Sequence, residues 1–325
     1  MTLLADLQVH HLRFTLQAQS IVRLGAQAGS QLRGALWQAL QSFACTDPRI
    51  KHDSSHQQHC PMCRLVARET DQGRGRNPAR PFAIQPPLQA IHRDGLWVDA
   101  GQTFSIGISL FGDVADLFPY LVHAVYQVGQ QGVGYGRGTF TIADVRSVHP
   151  LLKTQQALFD HGKVTQNPSI PVTNQQIEQV ARQLPAQRVT IRFLTPTQIT
   201  FEGKSIPHPI FSTLIARLIE RCQSLQETYT ATPIDSEVWR EQHLQLTQQA
   251  ELTHVAQDHT RWLTLHTGSR RSMSVNTLSG FVGDVTFAGD ELATFYPWLL
   301  WGQSLHVGKN AAKGNGWYEL AILEQ

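Results

Sequence analysis

No apolar run in this chain reaches the roughly 18 residues that a membrane-crossing helix needs. The opening residues, Met1-Thr2-Leu3-Leu4-Ala5-Asp6, lack the basic start and long apolar core of a secretory leader. Cysteine is scarce, with four in 325 residues, so no disulfide scaffold is expected and a reduced, cytoplasmic protein is the default. Excess charge is scarce too. A net charge of +2, with 16% charged residues, gives a field too weak to draw in a polyanion by itself. Any anion-binding surface must therefore be local. Candidates are Arg64, Arg68, Arg74, Arg76 and Arg80 in one stretch, the turn pair Arg270-Arg271, and Lys309 with Lys313.

What is present is a repeat. Gly112-Asp113 precedes Leu117-Phe118-Pro119-Tyr120-Leu121-Val122, then Gly132, Gly134, Gly136 and Gly138, then Thr139-Phe140-Thr141-Ile142. Gly289-Asp290 precedes Phe295-Tyr296-Pro297-Trp298-Leu299-Leu300, then Gly308, Gly314 and Gly316, then Trp317-Tyr318-Glu319-Leu320. Helix, glycine loop and strand occur twice, which predicts two copies of one small fold. Neither loop is a nucleotide loop. The second lacks a closing Gly-Lys-Ser/Thr and precedes a strand, and the first has glycine at every second position. Bare backbone flanked by Arg137, Lys309 and Lys313 suits an extended phosphodiester chain, with Gly308, Gly314 and Gly316 allowing close approach. The plainer reading is a pair of tight helix-to-strand turns.

Periodicity fills in the rest. Leu7 to Ala18 alternates as a strand, and Ser30 is placed to cap a helix from Gln31 to Phe43 with Leu32, Leu36, Ala39, Leu40 and Phe43 facing inward. Residues 45–87 turn to His, Arg, Gly, Pro and Gln, and read as an insertion. A strand follows at 103–110, then a helix from Asp113 to Val128 with Asp113 as cap. Residues 149–187 read as a linker with a short helix from Asn174 to Leu184. Val189 to Leu194 is a strand and Pro209 to Gln226 a helix. Trp262 to His266 and Gly280 to Phe287 form a hairpin around Arg270-Arg271. The expected class is α+β: two tandem ferredoxin-like domains, 1–148 and 188–325, each ordered strand, helix, strand, strand, helix, strand. Trp298 and Trp301 are expected to pack inside, and Trp317 to be exposed. His10, His11, His149, His161, His243, His254 and His259 read as surface or strand-edge residues.

Cys45, His56, Cys60 and Cys63 form a Cys-x10-His-x3-Cys-x2-Cys set, the ligand types and spacing of a closed tetrahedral zinc site. The alternative is a reduced thiol pair beside scattered surface histidines.

Several elements together resemble one family: Ser30-Gln31-Leu32-Arg33-Gly34-Ala35-Leu36-Trp37, Cys60-Pro61-Met62-Cys63, Arg80-Pro81-Phe82-Ala83-Ile84-Gln85-Pro86-Pro87, and Leu305-His306-Val307-Gly308-Lys309 through Gly314-Asn315-Gly316. They are similar to the CRISPR precursor-RNA processing endoribonucleases of the RAMP superfamily, over nearly the whole chain. The resemblance implies metal-independent cleavage of repeat RNA, in which a ribose 2′-OH attacks the adjacent phosphorus and leaves a 2′,3′-cyclic phosphate. The implied partners are CRISPR repeat RNA and guide RNA, with other subunits of an effector complex as further partners, and neither DNA nor membrane. Relatives often keep a histidine within or just after the first helix. Lys51-His52, His56 and His59 stand there. If zinc takes His56, then His52 is the candidate acid–base group, with Lys51 or Arg33 stabilising the phosphorane. RNA contacts are assigned to Arg137, Arg270, Arg271, Lys309 and Lys313. The tyrosine that some relatives carry in this helix is absent. A non-catalytic RNA-binding subunit is the alternative reading, and a small-molecule enzyme using the zinc is disfavoured because the ligand set is full.

Overall fold

The computed structural model describes residues 2–45, 47, 53–67, 79–93, 95–232, 234–268 and 275–321. The chain divides into two compact units, one formed by residues 8–172 and the other by 173–325 together with the first seven residues.

In the first unit, β1 (Gln8–Ala18) and β2 (Val22–Leu24) lead into α1 (Ala28–Phe43). The short α2 (Ser54–His59) follows, then β3 (Phe82–Gln85), α3 (Leu88–His92), β4 (Leu96–Val98) and β5 (Thr103–Phe111). α4 (Phe118–Gln131), β6 (Phe140–His149) and β7 (Thr154–Ala157) complete its main elements. The sheet runs β3-β5-β1-β6-β7, antiparallel throughout, with β2 and β4 paired separately. Phe82–Gln85, within the stretch read as an insertion, is thus a strand of the main sheet, with Phe82 opposite Leu110.

The second unit holds α5 (Asn174–Ala181), β8 (Arg188–Thr197), α6 (Phe211–Tyr229), α7 (Ser236–Ala250), β9 (His254–Asp258), β10 (Arg261–Leu263), β11 (Gly280–Ala288), α8 (Tyr296–Leu305) and β12 (Tyr318–Ala321). Its sheet runs β9-β11-β8-β12. In the first unit β1 lies between β5 and β6, with β3 outside β5; in the second β8 lies between β11 and β12, with β9 outside β11. That is the ferredoxin-like arrangement expected from the repeat. Hydrophobic burial explains it: Leu12, Phe14 and Leu16 in one unit, and Val189, Ile191 and Phe193 in the other, lie at alternate positions beneath apolar helix faces.

Several boundaries differ from expectation. α1 starts at Ala28 after Gln27, so Ser30 is a helical residue and not the cap. Phe43 is exposed and lies edge-on to His123 of α4, 4.5 Å between ring centroids. Asp113 sits in a 3₁₀ turn, Gly112–Leu117, and α4 begins only at Phe118 with Pro119 in its first turn. Proline lacks an N–H and has a helical φ, so it starts a helix well. The second copy repeats this, with a 3₁₀ turn at Leu292–Thr294 and Pro297 opening α8.

The largest correction concerns histidines of two neighbouring strands, two on β1 and one at the end of β6. His10, His11 and His149 are buried, not superficial. Ser109 Oγ lies 2.8 Å from His11 Nδ1. Burial lowers His11 to about 3, reinforced by His149 and His10, and lowers His10 to about 4. An unfolded histidine titrates near 6.5, so the unfolded chain takes up protons first as the pH falls. The stabilisation is therefore complete above pH 6.5 and is lost on acidification towards the folded values. By pH 5 His10 and His11 should each have cost about 2 kcal/mol. Urea melts at pH 7.5 and pH 5 should show a falling midpoint, and His11→Gln should flatten that fall. A midpoint equal at both values would refute the assignment.

Candidate functional site

The end of α1, the turn of α2 and the segment behind it bring four ligand-type side chains together. Asp53 caps α2, its carboxylate accepting from the His56 N–H at 2.7 Å, which fixes the first turn. His56 and Cys60 are one helical turn apart, and Cys63 begins the π-helical turn Cys63–Ala67. Cys45 follows α1 directly. One ligand atom from each of Cys45, His56, Cys60 and Cys63 lies within 4.8 Å of all the others. Cys45 Sγ and His56 Nε2 are 3.6 Å apart. A tetrahedral ion with bonds of about 2.0–2.3 Å needs its ligands roughly 3.5–3.8 Å apart, so this cluster could hold a metal ion. His59 does not join it, since its Nδ1 lies 2.9 Å from the Ser55 carbonyl of its own helix. Burial and the adjacent Cys60 push the Cys63 thiol well up, and the same two causes raise Cys45. Crowded thiols hold their protons until a cation takes their place. Arg64 pairs with Asp113 at 3.5 Å and Asp116 at 3.3 Å, which ties the π turn to the turn preceding α4.

The glycine loops are closed structures. After α8, His306 (φ 60°), Gly308 (78°), Asn310 (63°), Gly314 (90°) and Gly316 (71°) all take left-handed conformations. The Val307 N–H donates to the Gly316 carbonyl, Lys309 N–H to Gln198, and Gly316 N–H to Pro196. Arg221 on α6 donates from Nε to the Leu305 carbonyl at 2.6 Å, capping α8. A Cβ on Gly316 would stand 1.8 Å from the Val307 carbonyl oxygen, and one on Gly308 2.4 Å from that of Gln198. These glycines are demanded by the protein's own backbone. Lys309 is exposed and Lys313 half-buried, whereas Gly314 and Gly316 are buried. Trp317, expected at the surface, is half-buried and stacks on His306 with ring planes 5° apart.

In the first loop Arg137 (φ 53°) turns its guanidinium onto the Gln131 carbonyl through two hydrogen bonds, 2.8 and 3.0 Å, and so caps α4. Arg33 is half-buried on α1. Lys51, His52, Arg270 and Arg271 lie outside the described residues. A histidine that sequence reasoning passed over is His123, exposed on α4 beside Phe43 and stacked 6.0 Å from Tyr126. Only the folded chain brings it to the end of α1, just before Cys45. On the outer face of the second sheet Arg192 holds Asp284 at 3.0 Å and Glu319 at 3.5 Å across three strands.

Residues 7–171 match the family model of the AF_1859 N-terminal domain, and residues 191–318 match that of the CRISPR-associated endoribonuclease Cas6. No curated protein matches the chain. Among solved structures it is similar to Thermus thermophilus Cas6, at 12% identity and a TM-score of 0.53, over 98% of this chain and 100% of that one. The same Cas6 in a product complex gives 15% identity and 0.57, over 97% and 99%. A partial Cas6-RT-Cas1–Cas2 complex gives 10% identity and 0.60, over 100% of this chain and 48% of that one. At these identities the likeness concerns the fold.

Proposed function

Since the chain belongs to the RAMP-type family of CRISPR repeat-processing endoribonucleases, we propose that it cleaves CRISPR repeat RNA by 2′-OH attack without a catalytic metal. The observation that carries this reading is the Cas6 match across residues 191–318, which contain a pre-shaped glycine loop presenting Lys309. The chemistry asks for a group to take the 2′-proton, a group to protonate the departing 5′-oxygen, and cations at the crowded phosphorus. His52 is assigned the proton transfer, with Lys51 or Arg33 as the cation. Zinc is the metal assigned to Cys45, His56, Cys60 and Cys63, because three thiolates and an imidazole suit it. A complete tetrahedron leaves no position for substrate, so its role is structural.

The test is incubation with repeat RNA in EDTA, followed by gel analysis. Product ending in a 2′,3′-cyclic phosphate is the expected result. Cleavage that needs added Mg²⁺ would overturn the metal-independent mechanism. Tight binding with no cleavage would favour the second reading, a non-catalytic RNA-binding subunit, which the lack of tyrosine in α1 supports.

Phosphate contact by the second glycine loop is separately testable. Lys309→Ala/Lys313→Ala should bind repeat RNA more weakly, and the slope of log affinity against log salt should fall by about 0.7 for each lost single-strand contact. An unchanged slope would move the RNA elsewhere.

A further inference from the structure

The first unit carries a surface that neither the metal cluster nor the second glycine loop uses. β2 and β4 pair antiparallel with Arg23 directly opposite Trp97. On β2 the flanking Val22 and Leu24 are buried while Arg23 turns outward, and on β4 Trp97 does the same. The Arg23 guanidinium lies 4.1 Å from the centroid of the indole ring, so it covers one face and fixes the ring's orientation. The side chain is still 67% exposed.

The first glycine loop joins this ribbon on the other side of β2. Gly134 bridges to Arg23, and the Tyr135 N–H donates to the Arg23 carbonyl at 2.8 Å. Tyr135 is 56% exposed, and its hydroxyl accepts from Gln27 Nε2 at 2.6 Å. Its ring lies against Gly25, where a Cβ would come within 3.0 Å of the ring. The result is two anchored, exposed aromatic rings on either side of one outward arginine. Burial has no use for rings held in this way. Flat π faces beside a fixed cation match an unpaired nucleobase and its phosphate, and stacking of that kind tolerates any base.

We propose that the β2–β4 ribbon and the tip of the first glycine loop form a stacking platform for single-stranded RNA, with Trp97 and Tyr135 receiving bases and Arg23 meeting the backbone. The inference rests on the RNA-binding reading above and adds a second contact region to it. It assigns the first loop a role different from that of the second: bases here, phosphates there.

Binding of a fluorescent oligoadenylate, and of an abasic strand of equal length, tests the platform by anisotropy across a salt series. Trp97→Ala should weaken oligoadenylate binding roughly 5- to 150-fold, the range for losing one stacked base. Trp97→Phe should restore most of it, and the abasic strand should bind wild type and Trp97→Ala equally. The deficit of Trp97→Ala should persist at high salt, while Arg23→Gln should also flatten the salt slope by about 0.7. Tyr135→Ala supplies an independent variant should Trp97→Ala not fold. Oligoadenylate affinity unchanged in both, or an equal loss on the abasic strand, would overturn the platform and leave RNA binding intact. A wild-type protein that binds no RNA at all, repeat RNA included, would instead overturn the underlying reading.

Discussion

Protein carrying Cys60→Ser/Cys63→Ser should emerge from purification without the roughly one zinc per chain expected of the wild type. Two of four ligands would be gone, and a hydroxyl is a poor substitute for a thiolate. The loss should be structural as well. Free energies of about 10–16 kcal/mol accompany zinc binding in small zinc-folded peptides, and here the ligands come from three separate short segments. Among the described residues from Cys45 to Ala67, the buried apolar side chains apart from the thiols are only Met62, Leu65 and Val66. Without the ion, the segment from Cys45 to Val66 should become sensitive to protease, while both ferredoxin-like sheets survive. Metal analysis and limited proteolysis read this directly. A double variant that keeps its zinc would sink the assignment.

His52→Ala should slow cleavage of repeat RNA by roughly 10²–10⁴-fold, measured in single turnover at saturating protein. Affinity should barely change, because phosphate contacts dominate binding and one neutral imidazole adds little. Two controls make the result decisive. His56→Ala that retains zinc and loses all activity, beside a His52→Ala of wild-type rate, would transfer the role to His56. An inactive His123→Ala beside an active His52→Ala would transfer it to α4.

The repeat was readable because each copy uses the same grammar: a Gly-Asp turn, a proline opening a helix, glycines, then a strand. That grammar settles topology. It does not settle burial. Alternation in β1 assigns His10 and His11 to opposite faces, yet cannot say that both faces are covered at that end of a central strand. α7 escaped notice for a related reason, since it buries only Trp239, Leu246 and Ala250 and has no continuous apolar stripe. The Cys/His cluster was legible because its spacings are short, so local geometry nearly dictates proximity. The same four residues meet in the folded chain, where α2 turns the His56 ring towards the thiols and the His59 ring back to Ser55. The pairing of Arg23 with Trp97 left no trace in the sequence, because nothing near either residue points to the other.

The closed form of the second glycine loop has a consequence for how this protein can change over generations. Gly308 and Gly316 answer to carbonyl oxygens of the chain itself, so altering either damages folding whatever RNA is bound. The Lys309 side chain, by contrast, is exposed. Shape and chemistry are thus carried by different residues. A descendant meeting a new repeat sequence can replace its cation without rebuilding the loop. On the proposed reading the loop meets RNA already closed by its own hydrogen bonds, which lowers the protein's share of the entropic cost of association.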